Sequence, residues 1–306
     1  MFQFVIRRLL VTIPMVLAVM TLTWGLIRLA PGNFYSSERA LPAAVEQNIR
    51  AKYGLDQPWY VQYGRMMGNA LRGDLGTSLQ YEGRTVNEIL GRTMPVSAAI
   101  GALAYLLALV VGVTAGTVAA VKQNSRLDYG SMAVAMFGIS LPNFVLGPLL
   151  VLLFSLTLYW LPPARWDGIP SRSMVLPVLT LSAVYMAYIA RLARAGMLEV
   201  LRSDYIRTAR AKGLSETNII VRHAMRGGLL PVVSFSGPAL AILVTGTVVV
   251  ERIFAIPGVG NYFINANLNR DEPLILGIVV FISIVILFFN LMVDVAYGFL
   301  DPRVRY

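Results

Sequence analysis

Side chains that could carry chemistry are few in this sequence. It has a single histidine, His223, no cysteine, and only three lysines, Lys52, Lys122 and Lys212. One histidine without cysteines argues against the common zinc sites, and no lysine follows a glycine, which excludes the phosphate-cradling GxxxxGK[ST] loop. The GxSxG and HExxH patterns of hydrolases and metalloproteases do not occur either. The sequence therefore predicts no catalytic residue and no metal site in this chain.

Cationic side chains are instead concentrated between residues 203 and 228, although the chain is 57% hydrophobic and only 14% charged. In this stretch Ser203 or Asp204 can cap a short helix that runs through Lys212. Gly213 suits the left-handed conformation that commonly ends a helix. The pattern predicts a short helix followed by a tight glycine turn.

A second helix is predicted directly after the turn. Ser215 can cap it, Glu216 lies favourably in its first turn, and Leu214 is placed to pack against Ile219. Gly227-Gly228 would end it before the next apolar run begins. The whole stretch is therefore expected to form two helices joined by a glycine turn.

This stretch can be a docking site or only a solvated basic loop. Ala209 and Gly213 are four residues apart, so one face of the first helix has little side-chain bulk. Small residues at this spacing allow another backbone to approach closely. A solvated loop would need neither the glycine turn nor the two caps, and this favours docking over the alternative.

The elements that must position this stretch are apolar. A helix needs ~20 apolar residues to cross ~30 Å of hydrocarbon. Six charge-free runs are long enough: Leu9–Ile27, Pro95–Val121, Tyr129–Ala164, Ser173–Ala190, Gly227–Val250 and Pro273–Val293. The first has too long a core for a signal peptide and is interpreted as an uncleaved anchor. The third exceeds one helix, and Leu161-Pro162-Pro163 marks its predicted exit. We predict an all-α membrane protein with six transmembrane helices.

Six spans place both termini on one side, and the distribution of cations indicates which side. With the N-terminus in the cytoplasm, the inner segments hold 14 cations and the two short outer loops hold 4. The long loop from Arg28 to Met94 holds the other 8, but loops near ~60 residues report orientation weakly. The sequence thus predicts cytoplasmic termini.

The long outer loop is expected to be ordered. Pro42 can start a helix that Gly54 ends, and a second helix fits from Trp59 to Arg72, ended by Gly73. Its eight cations and six acids nearly cancel, so nothing in it points to nucleic acid. It is interpreted as a small helical cap that meets something outside or closes an opening.

Short motifs along almost the whole chain resemble one family. The stretch "ARAKGL" at 209–214 lies in a segment similar to the cytoplasmic signature loop of bacterial binding-protein-dependent ABC transporter permeases, and is followed by Arg222-His223-Ala224 and Leu230-Pro231. Further motifs resemble the peptide-transport branch: "RLAPG" (28–32), "YGLDQPW" (53–59), "GDLGTS" (73–78), "PGVG" (257–260), "NLMVD" (290–294) and the terminal "LDPRVRY". The chain is most similar to B-type permease subunits of oligopeptide transporters, with dipeptide permeases next. One departure is Arg207-Thr208-Ala209, where the general signature has an acidic residue and two alanines.

The resemblance implies a type I ABC importer permease fold and a set of partners. These are a C-type permease subunit, two cytoplasmic ABC ATPase subunits, an extracytoplasmic peptide-binding protein and a peptide substrate. ATP and Mg would be bound by the ATPase subunits and no cofactor by this chain. It would lie in the bacterial inner membrane, with an N-terminal end and first span (1–30), an outer helical loop (31–94) and a five-span core (95–306) that contains the cytoplasmic coupling loop 191–228.

Three groups of residues are candidates for the transport function. Coupling to the ATPase is assigned to Arg207, Ala209, Arg210, Ala211, Lys212, Gly213, Leu214, Arg222 and His223. Polar residues within the spans are candidates for the pathway, although each could simply bond to a neighbouring helix: Asn143, Ser234, Ser236, Thr245, Thr247 and Asn290. An outer gate is assigned to Glu251, Pro257, Gly258 and Gly260, and Glu251 could instead face water or a headgroup.

Other transport classes fit less well. An ion-coupled secondary transporter is expected to carry charges inside the membrane, whereas the interiors of these six runs have none. A scaffold without transport would not need interior breakers such as Pro142-Asn143 and Gly237-Pro238, although these could be ordinary kinks. Dipeptides and nickel remain alternative cargoes, because relatives of the family carry them.

Overall fold

The computed structural model describes residues 2–29, 54 and 56–300, and this part of the chain is almost entirely helical. In chain order the helices are α1 (Phe2–Leu29), α2 (Trp59–Leu71), α3 (Val86–Val121), α4 (Arg126–Ser140), α5 (Asn143–Leu150), α6 (Val175–Leu201), α7 (Asp204–Ala211), α8 (Glu216–Asn218), α9 (Met225–Gly228), α10 (Leu230–Val244), α11 (Val248–Ile253), α12 (Val259–Leu268) and α13 (Glu272–Leu300). A π-helical segment, Val151–Thr157, continues α5, and another, Ile219–Ala224, joins α8 to α9.

Within the described residues, five helical stretches are long and apolar enough to cross a membrane: Ile6–Leu29, Val86–Val121, Arg172–Leu201, Leu230–Ile253 and Glu272–Ala296. A sixth crossing is formed if Arg126–Ser140 and Asn143–Thr157 are counted together. These spans correspond to the six charge-free runs, so the all-α membrane fold is confirmed.

The third run differs from a straight span. Its two helices meet at 105°, and the break lies at Leu141-Pro142. Proline lacks a backbone N–H and disfavours the helical conformation of the residue before it. Leu141 accordingly has φ −92° and ψ 113°, which ends α4 and turns the chain before α5.

Helix α3 is the longest element and carries the main packing interface. Its 36 residues extend over about 54 Å at 1.5 Å per residue. A Cβ on Gly116 would lie 2.8 Å from Ala193 Cβ on α6, and one on Gly112 would lie 2.8 Å from the Met186 carbonyl oxygen. Glycines four residues apart thus allow the two backbones to approach closely.

The outer loop is anchored to the last span by Asp271, a residue that the sequence did not single out. This buried carboxylate accepts hydrogen bonds from Leu79 N at 3.1 Å, Gln80 N at 3.2 Å and the Ser78 hydroxyl. The predicted helix 59–72 is confirmed to within one residue, with Gly73 at φ +81° after it. The helix predicted from Pro42 lies outside the described residues.

Candidate functional site

The stretch from Ser203 to Gly228, here called the basic segment, has the first helix and the glycine turn that its sequence predicts. The second helix is π-helical over Ile219–Ala224, and neither Ser203 nor Ser215 makes the predicted side-chain cap hydrogen bond. Helix α7 ends at Ala211, and Gly213 follows at φ +74°. An added Cβ at Gly213 would meet nothing within 4 Å, and the residue is exposed. Its surroundings therefore leave space for a partner, while its positive φ disfavours every other residue type.

An ion pair closes the glycine turn. The Arg210 guanidinium donates to both carboxylate oxygens of Glu216, at 2.8 and 3.3 Å. These hydrogen bonds lower the pKa of the Glu216 carboxyl below its ordinary value. Both side chains are exposed, so water weakens the attraction and the pair contributes little to stability. Arg210, which the sequence suggested as a contact residue, thus also braces the turn.

The inner side of the basic segment packs on this chain's own spans. Ile206 and Ile219 are fully buried against Met197 of α6 and Ala120 of α3. Ala209 belongs to the same cluster and is only 7% exposed. The small face expected at Ala209 therefore lies against this chain rather than toward a partner.

The outer side of the basic segment combines apolar and cationic side chains. Tyr205 and Val221 are exposed although both are large and apolar. Of the candidate coupling residues, His223 is half-buried, and the exposed ones are Arg207, Arg210, Ala211, Lys212, Gly213, Leu214 and Arg222. Arg222 and His223 lie in the π-helical segment, a conformation that is frequent at functional sites.

A second site forms around Glu251, in the loop and short helices after α10. The Ser97 hydroxyl of α3 donates to one Glu251 carboxylate oxygen at 2.7 Å, and Gly260 N donates to the other at 2.8 Å. Val259 N in turn donates to the Ser97 oxygen at 3.0 Å. Glu251 is 4% exposed, which argues against the alternative that it faces water or a headgroup. The chain turns back after α11 and covers it.

Three glycines make room for this carboxylate. A Cβ would lie 2.5 Å from a Glu251 oxygen if added at Gly246 and 2.8 Å if added at Gly260, and at Gly258 it would overlap the carboxylate. Real Cβ atoms do not make contacts this short, so the chain can approach the carboxylate only because these positions are glycines. We call Ser97, Gly246, Glu251, Gly258 and Gly260 the Glu251 cluster.

The structure brings most of the predicted gate residues together and adds one. Glu251, Gly258 and Gly260 are in contact, whereas Pro257 is exposed at the edge of the turn. Ser97 was missed because a lone serine in an apolar helix, 154 residues away from its partner, gives no local signal.

Several pathway candidates make hydrogen bonds within their own helix or to a neighbouring one. Ser234 and Thr245 bond to carbonyl oxygens of their own helix at 3.0 and 2.9 Å, and Thr245 is buried. Ser236 bonds within its helix and also accepts from the Tyr105 hydroxyl of α3. Asn290 lies opposite Gly237, between α13 and α10.

Asn143 and Thr247 differ from the other candidates. Each has a buried side-chain oxygen without a hydrogen-bond partner among the described residues. Thr247 also lines a void of about 10 Å³ that is shared with Ser97, Gly246 and Glu251. The void is close to the size of one water molecule. It connects a pathway candidate to the Glu251 cluster.

An ion pair between the buried Asp128 and the partly exposed Arg194 joins two spans near the basic segment. Arg194 of α6 donates to both oxygens of Asp128 in α4, at 2.6 and 2.8 Å. Asn124 N adds a third hydrogen bond to this carboxylate at 3.0 Å. Sequence reasoning missed the pair because its members are 66 residues apart and each resembles an ordinary charge at a span end.

Comparison with known proteins identifies the family. Residues 112–306 match the model of the "Binding-protein-dependent transport system inner membrane component" family. The chain belongs to this family. It is therefore a multi-pass inner-membrane permease component of a transport system that depends on a binding protein.

Curated relatives match this permease over its whole length. It is 45% identical to the oligopeptide transport system permease protein OppB of Haemophilus influenzae and 46% identical to that of Salmonella typhimurium, in both cases over 100% of each chain. It is 42% identical to the dipeptide transport system permease protein DppB of Bacillus subtilis, over 100% of this chain and 98% of the relative.

Two solved transporters share the fold of this permease. A methionine ABC transporter, MetNI, in inward-facing conformations has a TM-score of 0.58 at 16% identity, covering 70% of this chain and 96% of the other. An amino acid ABC transporter has a TM-score of 0.52 at 13% identity, covering 69% and 94%. The likeness supports the predicted ABC importer permease fold.

Proposed function

We propose that this permease imports oligopeptides as one of two membrane subunits of an ATP-driven importer. The observation that carries the proposal is the 45–46% identity, over full length, to oligopeptide permeases. The second subunit would be a C-type permease, and an extracytoplasmic binding protein would deliver the peptide. A dipeptide cargo is the second candidate, because the Bacillus subtilis dipeptide permease is 42% identical.

ATP would act on this chain only through partners. The sequence has no phosphate-cradling loop, so two cytoplasmic ATPase subunits would bind ATP and Mg. The basic segment is the proposed contact because its glycine turn is exposed, as are Tyr205, Lys212 and Val221. Its inner side is packed on α3 and α6, so a displacement of the segment acts directly on spans.

The Glu251 cluster is the proposed outer gate. It connects α3 to the loop that follows α11 through Ser97, and the surrounding glycines pack this loop tightly. A buried carboxylate held by hydrogen bonds suits a gate with two positions, since releasing it would leave several donors unsatisfied at once.

Peptide uptake tests the cargo. The chain is expressed with its partner subunits in cells that lack other peptide importers, and uptake of a labelled tetrapeptide is measured. An excess of unlabelled tripeptides or tetrapeptides should inhibit uptake strongly, whereas dipeptides and nickel should not. Equal inhibition by dipeptides would instead favour the second candidate.

Single cysteines test the orientation, because the chain has none of its own. Asp74→Cys should react with an impermeant thiol reagent added outside intact cells. Glu216→Cys should react only after the membrane is opened. The reverse order of labelling would reject cytoplasmic termini and the proposed ATPase contact with them.

A further inference from the structure

A cavity of about 210 Å³ lies between α1, α2 and α13, away from the basic segment and the Glu251 cluster. Its wall includes Met20, Arg28, Arg65, Glu272 and Val280. No part of the proposed transport mechanism uses these residues. The cavity has a charged end and an apolar end.

The pairing of α1 with α13 shows how the cavity is oriented along the helix axes. Arg28 is near the end of α1, and its Nη2 lies 3.9 Å from Oε2 of Glu272 at the start of α13. The two helices therefore run antiparallel, with these two residues at the same level. Met20 and Val280 each lie eight residues further along, about 12 Å deeper at 1.5 Å per residue. Both are buried, as is Leu276, which lies midway between Glu272 and Val280 on α13. The lining therefore changes from charged to apolar along the helix axes.

The charged end carries both signs. The Arg28 guanidinium lies 5.1 Å from the centre of the Trp24 ring and also donates to Gln62 of α2. Arg65 of α2 supplies a second cation to the lining, and Asp74 and Glu272 supply two carboxylates. A ligand that fits this end has an anionic and a cationic group close together.

This charged end lies at the edge of the membrane. The span of α1 ends at Leu29, and that of α13 begins at Glu272. Trp24 lies just inside, where aromatic side chains commonly mark the boundary between hydrocarbon and headgroups. The apolar end is thus at the depth of acyl chains, and the charged end at the depth of phosphates.

We propose that this cavity binds one zwitterionic glycerophospholipid with a primary ammonium headgroup. The phosphate lies between Arg28 and Arg65, and the ammonium contacts Glu272 and Asp74. The upper part of an acyl chain follows Met20, Leu276 and Val280. An oligopeptide is also zwitterionic, but 210 Å³ is below the ~300–1,000 Å³ of sites that enclose whole small molecules. The cavity suits one end of a longer amphipathic molecule.

Native mass spectrometry of the purified full-length permease tests the site. The protein is titrated with synthetic phosphatidylethanolamine or phosphatidylglycerol at matched acyl length. One phosphatidylethanolamine should be retained per chain, at lower lipid concentration than phosphatidylglycerol, whose headgroup has no ammonium. Arg65→Gln should weaken its retention about fivefold, the effect of losing one arginine near a phosphate.

Two variants separate the site from general lipid adhesion. Arg72→Gln removes an exposed arginine that does not line the cavity and should leave retention unchanged. Ala70→Phe fills the cavity without removing a charge and should abolish retention, while the protein still elutes as a single species. Equal retention of both lipids, or no effect of Arg65→Gln and Ala70→Phe, would overturn the proposal.

The competing ligand is tested in the same experiment. A tetrapeptide added in excess should not displace the bound phosphatidylethanolamine. Displacement would assign the cavity to cargo and reject the lipid site. The proposal does not depend on which peptide is imported, because retention is measured without transport.

Discussion

The basic segment and the Glu251 cluster differ in where their charged groups lie. In the basic segment the charges are exposed, and Arg210 and Glu216, which pair across the turn, are six residues apart. In the Glu251 cluster one carboxylate is buried, and its hydroxyl donor comes from a helix 154 residues away. The first site presents a surface and the second holds distant parts of the chain together. Substitutions should therefore impair function at the first and stability at the second.

The largest effect on transport is expected at the glycine turn. Gly213→Val forces an unfavourable positive φ and adds bulk where the ATPase would dock. Peptide uptake should fall at least about tenfold, corresponding to ~1.4 kcal/mol of coupling free energy. Membrane insertion should be unchanged, and the ATPase subunits should co-purify less.

Gly83→Val is the matched control for this variant. Gly83 has φ +71°, close to the +74° of Gly213, and an added Cβ there also meets nothing within 4 Å. The backbone strain is thus the same, but Gly83 lies in the outer loop. Equal loss of uptake in both variants would attribute the effect to strain rather than to docking.

The next effect is expected from Gly258→Ala in the Glu251 cluster. The added methyl overlaps the Glu251 carboxylate, and such overpacking costs about 1–3 kcal/mol of stability. Thermal unfolding of the purified permease measures it, with Gly91→Ala, which meets no neighbour, as control. The cost should be much smaller in a Glu251→Ala background. An equal cost there would show that the carboxylate is not what the methyl meets.

A smaller effect is expected from Ser97→Ala. This change removes the hydroxyl that donates to Glu251 and accepts from Val259 N, and we expect a loss of about 1–2 kcal/mol. Ser140→Ala is the control, because that hydroxyl is exposed and bonds only within its own helix. If both serine variants unfold at the wild-type temperature, the hydrogen bond does not hold the cluster.

The smallest effect is expected from Glu216→Gln. The folded pKa of Glu216 is lowered by Arg210, so its contribution is present above the ordinary value of 4.5 and is lost as pH falls through the lowered pKa. Wild type and variant should therefore unfold at nearly the same temperature at pH 7 and converge fully in acid. A large difference at pH 7 would mean that the basic segment depends on this pair more than its exposure indicates.

Features that depend on residues close in sequence, as in the basic segment, could be predicted, whereas long-range contacts, as in the Glu251 cluster, could not. Helix α7 and the turn at Gly213 depend on neighbouring residues and were predicted to within a residue or two. The spans were also predicted from their charge-free runs, but their ends differ by up to eleven residues, as for Arg172–Leu201 against the run Ser173–Ala190. A breaker at Pro142-Asn143 was recognised, but the 105° angle between the two helices was not predicted, because hydropathy reports composition and not orientation.

The long-range contacts could not be predicted from one sequence. Ser97 with Glu251, Arg194 with Asp128, and Asp271 with the outer loop join residues that are 66 to 193 positions apart. Each is an unremarkable polar residue in its own neighbourhood. The burial of Ala209 was also hidden, since a small residue on a helix can face either a partner or the chain itself.

The length of α3 has a mechanical consequence. The same helix carries Ser97 in the Glu251 cluster and Ala120 in the core under the basic segment. These residues are 23 positions apart, about 35 Å along an axis without an intervening proline. A rigid helix of this length transmits a displacement at one end to the other end. If an ATPase docks at the basic segment as proposed, its movement would therefore reach the Glu251 cluster directly through this one helix.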